Sequence, residues 1–369
     1  MNDFERRARA CQDRLESVDA AAAVLFPSPN LYYASGFHEE PAERHLFLFV
    51  PATGDPVFLV PELYASQIRD ESWVTDVRTW GDGDDPVAAV ETVAEELDLW
   101  GRHLLVDDTM WALFTQDLEA ALPEATFGLA SEVFDDLRLR KDETELDALR
   151  RAAEVADQAS EEVRKLGSAA IGLTERELAE EVESTLAGMG GDGLAFDVIA
   201  GSGPNGAKPH HSHGDREIQR GDPVVLDFGA YVDHYPGDQT RTVVFAGDPP
   251  DRFEAVHAIV RDALEAGVAA VEPGVEAQAV DRAAREVIEE AGYGEQFIHR
   301  TGHGVGLDVH EPPYIVEGND LELEPGMVFS VEPGIYLDGE FGVRIEDLIV
   351  VTADGCERLN QSPRTWEPL

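Results

Sequence analysis

The 369-residue sequence predicts an α/β amino-terminal domain over residues 1–135, followed by an α+β domain over 136–369 with an internal repeat. Three observations lead there. The length suits two or three domains. The first third alternates short apolar runs with helical stretches, and the remainder passes through helices and then strands twice over.

In the first domain, the apolar runs Ala21–Pro27, His45–Pro51, Pro56–Val60 and His103–Val106 read as strands. The stretches Asp3–Ser17, Val87–Leu97 and Ala112–Ala121 carry helical spacing. The second domain opens with a long acidic amphipathic helix, Glu143 to Leu166, and Thr174 with Glu177 forms a capping box that starts another over 175–188. Strand-like runs follow at 194–200, 223–232 and 239–246. The order then repeats: helices near 251–271 and 276–291 precede runs at 327–332 and 343–351. Two similar halves would pack face to face.

Both halves carry acids and imidazoles in places where a soluble domain has little structural use for them. Asp227 follows Val224-Val225-Leu226, and Asp238 opens the next β-branched run after a Gly/Pro-rich turn, so the two can face each other across a hairpin. His303 sits between glycines in GHGVGLDVHE, Glu332 ends the run from Met327 to Val331, and Glu346 alternates with Val343, Ile345 and Leu348 in a strand pattern. A charge in such a segment is costly to bury unless it is paired or binds a metal. Four carboxylates brought together repel one another, and a cation is the simplest remedy. Four oxygen donors and one imidazole suit two divalent ions, Mn²⁺ first, with Co²⁺, Zn²⁺ or Fe²⁺ as alternatives. Bridging carboxylates would hold the ions roughly 3.5–4 Å apart with one hydroxide between them as the nucleophile. The first half supplies Asp227 and Asp238 and the second His303, Glu332 and Glu346, which places the site at their junction.

These motifs, VVLDFGAYVDHYPGDQTRT (224–242), GHGVGLDVHE (302–311), VFSVEPGIY (328–336) and VRIEDLIVV (343–351), carry a resemblance. The chain resembles the Xaa-Pro dipeptidase and aminopeptidase P group of the pita-bread metallopeptidases, family M24. The likeness extends to NLYYASGF (30–37), similar to the signature of that family's creatinase-like amino-terminal domain, and to LRLRKDETELDALRRAAEVAD (137–157), similar to its domain junction. The resemblance implies a pseudo-two-fold catalytic domain. It implies that Asp227 chelates one metal, His303 and Glu332 the other, and that Asp238 and Glu346 bridge. Glu332 would also shuttle a proton. His210 in GAKPHH and His310 in DVHE would steady the tetrahedral intermediate and hold substrate, and Arg344 would bind substrate beside the bridging glutamate. His211, His213 and His299 stay unassigned. Dimers predominate in the family, so a homodimer is expected.

The composition excludes several classes. Residues 201–206 match G-x-G-x-x-G, but Pro204 and the following AKPHH leave no helix to receive a pyrophosphate. No H-E-x-x-H, G-x-S-x-G or P-loop occurs. Seventy-five acidic residues face twenty-eight basic ones, of which only Lys141, Lys165 and Lys208 are lysines, and the net charge is −47. That charge disfavours nucleic acid and anionic membrane as partners. Self-repulsion would strain the compact state at ordinary ionic strength, whereas molar salt shortens the Debye length to roughly 3 Å. A salt-adapted organism with a saline cytoplasm is expected. Two cysteines suit a reducing compartment, and the start MNDFERRARACQD has no apolar signal region, so a cytoplasmic location is expected.

The function expected is a dinuclear metallopeptidase that hydrolyses the amino-terminal Xaa-Pro bond of dipeptides or short peptides. Aminopeptidase P action on longer Xaa-Pro peptides is the alternative. Another amide hydrolase of the creatinase-like fold and a non-catalytic binding module stand behind it.

Overall fold

The computed structural model describes residues 2–369, which form two compact units, one ending at Arg138 and the other Leu139–Leu369. In the first unit, six strands form one mixed sheet in the order Asp76–Trp80, Val57–Pro61, Phe47–Pro51, Ala22–Leu25, His103–Val106 and Thr126–Leu129. The central strands are buried on both faces, which is why they read as continuous apolar runs. Helices Asp3–Ser17 and Ala112–Ala121 match the sequence pattern. The helix expected over Val87–Leu97 runs one residue earlier, Pro86–Glu96, because Asp85 caps it and Pro86 opens it. The edge strands Asp76–Trp80 and Thr126–Leu129 were not expected. They are only partly buried and lack the apolar signal of the inner strands.

The second unit contains two apolar cores, one within residues 152–245 and one built from Leu139 and residues 244–351. In the first half, helix Glu143–Arg164 starts from a capping box between Asp142 and Glu145, and helix Glu175–Gly188 from the expected Thr174–Glu177 box. They cover a sheet ordered Gln239–Val243, Val224–Phe228, Ile199–Ser202. In the second half, helices Phe253–Ala269 and Ala277–Glu290 pack with a sheet ordered Glu311–Ile315, Gly302–Gly304, Val328–Val331, Asp347–Thr352, Gly355–Arg358. A hairpin, Gly334–Leu337 with Phe341–Arg344, stands beside it. Each half therefore presents two helices to a small antiparallel sheet, which is the repeat read from the sequence.

Three expected strands divide: 194–200 into Gly193–Leu194 and Ile199–Ser202, 223–232 into Val224–Phe228 and Ala230–Val232, and the one that carries Glu346. The run 343–351 breaks at Ile345–Glu346: Phe341–Arg344 belongs to the hairpin and Asp347–Thr352 to the five-stranded sheet. Glu346 thus lies between strands, not inside one. Its backbone N–H donates to the Thr240 carbonyl at 3.1 Å, a bond that crosses from one half to the other. Thr242 adds a second crossing, its hydroxyl accepting from Arg344 N at 3.1 Å and lying 3.0 Å from the Arg344 carbonyl.

Candidate metal centre

The site grows out of that seam. In the strand pair Val224–Phe228 and Gln239–Val243, Asp227 stands opposite Thr240, so Asp238 occupies the diagonal position on the same face and not the directly opposed one. Gly229 makes the turn possible: a Cβ there would lie 1.7 Å from the Gly237 carbonyl oxygen. On the other half, Gly302 and Gly304 flank His303 where Cβ atoms would meet the carbonyl oxygens of Ser330 at 1.8 Å and Pro312 at 2.2 Å. Close backbone approach explains the GHG spelling and buries the imidazole, which is only 3% exposed.

His303 Nδ1 lies 3.2 Å from the Gly304 carbonyl oxygen, which can only accept, so the proton sits on Nδ1 and the Nε2 lone pair faces the acids. Nε2 is 3.3 Å from Glu332 Oε1 and 3.7 Å from Asp238 Oδ2. Burial pushes the His303 imidazole down to about 3, with the neighbouring His310 adding to the effect, so the ring is neutral. Asp238, His303 and Glu346 offer ligand atoms that all lie within 4.8 Å of one another. Glu346 Oε2 accepts from the Thr240 hydroxyl at 2.6 Å, and Arg241 donates to the Glu346 carbonyl at 2.6 Å. Glu332 is set by its N–H to the Thr301 carbonyl at 2.8 Å and by the Ser330 hydroxyl at 3.3 Å.

Arg344 stands behind Asp227. Its Nη2 donates to Asp227 Oδ2 at 2.7 Å, Nη1 to the Tyr336 hydroxyl at 2.7 Å, and Nε to the Thr240 hydroxyl at 3.1 Å. Tyr336 in turn reaches His299 Nε2 at 2.9 Å, while His299 Nδ1 lies 2.7 Å from the Arg300 carbonyl. Burial lowers His299 to about 4, so the neutral ring takes the tyrosine proton on Nε2. The guanidinium thus spends its donors on the protein, chiefly on Asp227. The other carboxylate oxygen, Asp227 Oδ1, is buried with no hydrogen-bond partner among the described residues.

That orphaned oxygen tests the need for a cation. Desolvation, then Asp227 and Glu332, push the Asp238 carboxyl far up; desolvation, then Asp238 and Glu332, do the same to Glu346. Glu332 rises to about 7, again mainly through burial. Four carboxylates, three of them pushed toward the neutral form, and one neutral imidazole fit divalent cations, which would remove the repulsion and satisfy Asp227 Oδ1.

All eight sequence-predicted residues, Asp227, Asp238, His303, Glu332, Glu346, His210, His310 and Arg344, line one cavity of about 550 Å³. His303 and His310 are in edge contact, with ring centroids 4.1 Å apart. His210, His211 and His213 arrive on one segment, and Phe196, Val198, Ile199 and Val309 form an apolar wall. Sequence reasoning missed Thr240, Tyr336 and Glu175. Only the adjoining motifs DQTRT and EPGIY could have drawn attention to the first two.

Comparison with known proteins bears on this geometry. The family model described as metallopeptidase family M24 matches residues 147–353, more than half of the chain. The chain belongs to metallopeptidase family M24. Residues 7–140 match the creatinase/prolidase N-terminal domain. This M24 chain is similar to a prolidase structure from Thermococcus sibiricus, with a TM-score of 0.95, 38% identity and 100% of both chains covered. It is 40% identical over 366 residues to a probable dipeptidase PepE from Mycobacterium bovis, covering 98% of this chain and 95% of that one. It is 35% identical over 363 residues to an Xaa-Pro dipeptidase from Lactobacillus delbrueckii subsp. lactis, covering 97% of each. The pita-bread catalytic fold and the creatinase-type first domain expected from the sequence are thereby established.

Proposed function

We propose that this metallopeptidase is an Xaa-Pro dipeptidase, with Asp227, Asp238, His303, Glu332 and Glu346 as its metal ligands. The observation that carries the reading is the buried, mutually repelling carboxylate cluster with an unpartnered Asp227 oxygen, opening into a cavity large enough for a dipeptide. Similarity to a prolidase and to an Xaa-Pro dipeptidase supports the substrate class.

When bound, a divalent pair supplies Lewis acidity and an activated water. The chain's own residues do the rest. As the resemblance implies, Asp227 would hold one ion, His303 and Glu332 the other, and Asp238 and Glu346 would serve both. A carboxylate oxygen of Glu332 takes the proton released at attack and passes it to the leaving proline nitrogen, which as an imide carries no N–H of its own before cleavage. His210 and His310 donate hydrogen bonds to the developing oxyanion, worth about 10²–10³-fold in rate per donor. Arg344, which holds Asp227 and the Tyr336 hydroxyl and lines the cavity, is also proposed to contact the substrate, as the resemblance implies. Phe196, Ile199 and Val309 offer the pyrrolidine ring an apolar wall.

The oxygen-rich donor set favours Mn²⁺. We further propose a cytoplasmic homodimer from a salt-adapted cell, on the strength of the −47 charge and the family resemblance. The deciding assay compares an Xaa-Pro dipeptide with an Xaa-Pro-Yaa tripeptide in molar KCl, using chelator-stripped protein with and without Mn²⁺. Metal-dependent cleavage of the dipeptide alone is expected. Preference for the tripeptide would transfer the protein to the aminopeptidase P branch, and cleavage of neither by folded, metal-loaded protein would overturn the proline-directed reading.

A further inference from the structure

Glu175 is the first residue of helix Glu175–Gly188 and is fully buried, yet nothing in the chemistry above uses it. Its carboxylate gathers donors from one segment only. Oε1 accepts from Ser202 N at 2.8 Å, the Ser202 hydroxyl at 2.7 Å and the Asn205 amide at 3.0 Å. Oε2 accepts from Asn205 at 3.2 Å, His211 Nε2 at 2.7 Å and Gly214 N at 3.3 Å. Residues 202–214 include His210, His211 and His213, the three imidazoles this segment brings to the cavity. Since a carboxylate only accepts, His211 carries its proton on Nε2 and leaves Nδ1 without a protein partner among the described residues. Burial alone would raise the Glu175 carboxyl. The donors from His211, Ser202 and Asn205 outweigh it and hold the group below its ordinary value.

We propose that Glu175 is a positioning residue for the reaction: it fastens the 202–214 segment so that His210 and His211 face the substrate. The reason is economy of attachment. Past Ser202, which ends strand Ile199–Ser202, the segment has no regular structure beyond the 3-10 turn Gly203–Ala207, so its backbone groups need partners from elsewhere. One buried, charged acceptor at a helix start serves Ser202, Asn205, His211 and Gly214 together. Such charge-assisted bonds are stronger than neutral ones, and the helix N-terminus favours the negative charge. Other ties hold the ends of the segment, Gly203 N to the Pro223 carbonyl at 2.8 Å, Arg216 to the Ser202 hydroxyl at 2.5 Å and Arg176 N to the Gly214 carbonyl at 3.0 Å, while nearer the imidazoles His213 Nδ1 lies 2.9 Å from the Val198 carbonyl and Arg344 donates to the Pro209 carbonyl at 3.4 Å.

The inference rests on the peptidase reading, and its test separates the two. Glu175→Gln keeps the shape but loses the charge and turns a donor toward donors. In the Mn²⁺-loaded enzyme it should lower kcat on the order of 10–100-fold, with KM within about twofold and metal content unchanged. In a His210→Ala background the same change should cost less than about twofold, because the two act as a unit. Glu175→Asp should recover part of the loss. Amide exchange, which needs no substrate, should quicken across 202–214 in Glu175→Gln while strand Val224–Phe228 stays protected. Should Glu175→Gln fail to fold, Asn205→Ala, which removes one donor and keeps the carboxylate, should show the same exchange pattern. Equal losses in both backgrounds, loss of metal in parallel with activity, or unchanged exchange over 202–214 would overturn the positioning role. If wild-type enzyme cleaves no Xaa-Pro peptide, the substrate reading falls and exchange alone decides the clamp.

Discussion

Asp227 meets two demands with one carboxylate: Oδ2 is held by Arg344 at 2.7 Å, and Oδ1 is left buried and unpartnered among the described residues. A folded chain tolerates that only if something else pulls against the repulsion of the cluster. Asp238→Asn removes one of the four charges while keeping the shape. The metal-free variant is expected to melt at or above the metal-free wild type, and Mn²⁺ should no longer raise its Tm. Thermal unfolding with and without chelator checks both, and a lower metal-free Tm would show that Asp238 is an ordinary structural acid. His257, away from the site, sets an acid limb. Burial and then Arg261 lower it to about 4, against about 6.5 in an unfolded chain. Above pH 6.5 both states are neutral and the group contributes nothing. As pH falls from about 6.5 to about 4 only the unfolded chain gains the proton, so the fold loses up to about 3 kcal/mol. Metal-free His257→Leu should lack that loss in denaturant titrations between pH 7 and 4.5. The acids of the cluster were legible in the sequence because each interrupts an apolar run. Thr240, Tyr336 and Glu175 were not, because their partners lie 106, 8 and 37, and 36 residues away, and only the motifs DQTRT and EPGIY mark the first two locally.

At the scale of elements, glycine and buried ion pairs decide what periodicity cannot. The break at Ile345–Glu346 was invisible because Val343, Ile345 and Leu348 keep an apolar rhythm across it. What breaks the strand is attachment: Asp347 is fully buried and paired with Arg241 at 2.9 Å, Arg358 at 3.1 Å and Arg364 at 2.6 Å. Gly342 has a similar hidden role, since a Cβ there would lie 1.9 Å from the Gly206 carbonyl oxygen. The literal GSGPNG motif is therefore packing for the hairpin, not a phosphate loop. Lys141, one of three lysines in the chain, is 2.7 Å from Glu311, with side chains 1% and 6% exposed. Glu311 follows His310, so the pair anchors the second imidazole segment. Removing one partner strands a buried charge, and Lys141→Met is expected to cost about 3–5 kcal/mol. A Tm within a degree or two of wild type would show that the pair contributes little.

For the whole molecule, the two-unit organisation and the repeat were readable because each half repeats helices before strands. The partly buried edge strands and the short glycine-rich strands Gly302–Gly304 and Gly334–Leu337 were not, because they carry no run of β-branched residues. Net charge acts at this scale. The −47 is what remains after all twenty-eight basic residues are set against acids, and pairs such as Arg9–Asp55 and Arg282–Glu317 are exposed and add little, so the acidic surplus repels itself. Raising KCl from 0.1 to 2 M should lift Tm on the order of 10 °C by screening that repulsion. A flat or falling Tm would remove the case for salt adaptation.

The central claim is that five acids and imidazoles from two halves of one domain gather a metal pair. Anomalous diffraction from crystals of the Mn²⁺-loaded protein tests it most directly. The account predicts two peaks roughly 3.5–4 Å apart, both among Asp227, Asp238, His303, Glu332 and Glu346, with Asp238 and Glu346 touching both. A single peak, or metal bound elsewhere while these five residues keep their present arrangement, would contradict it.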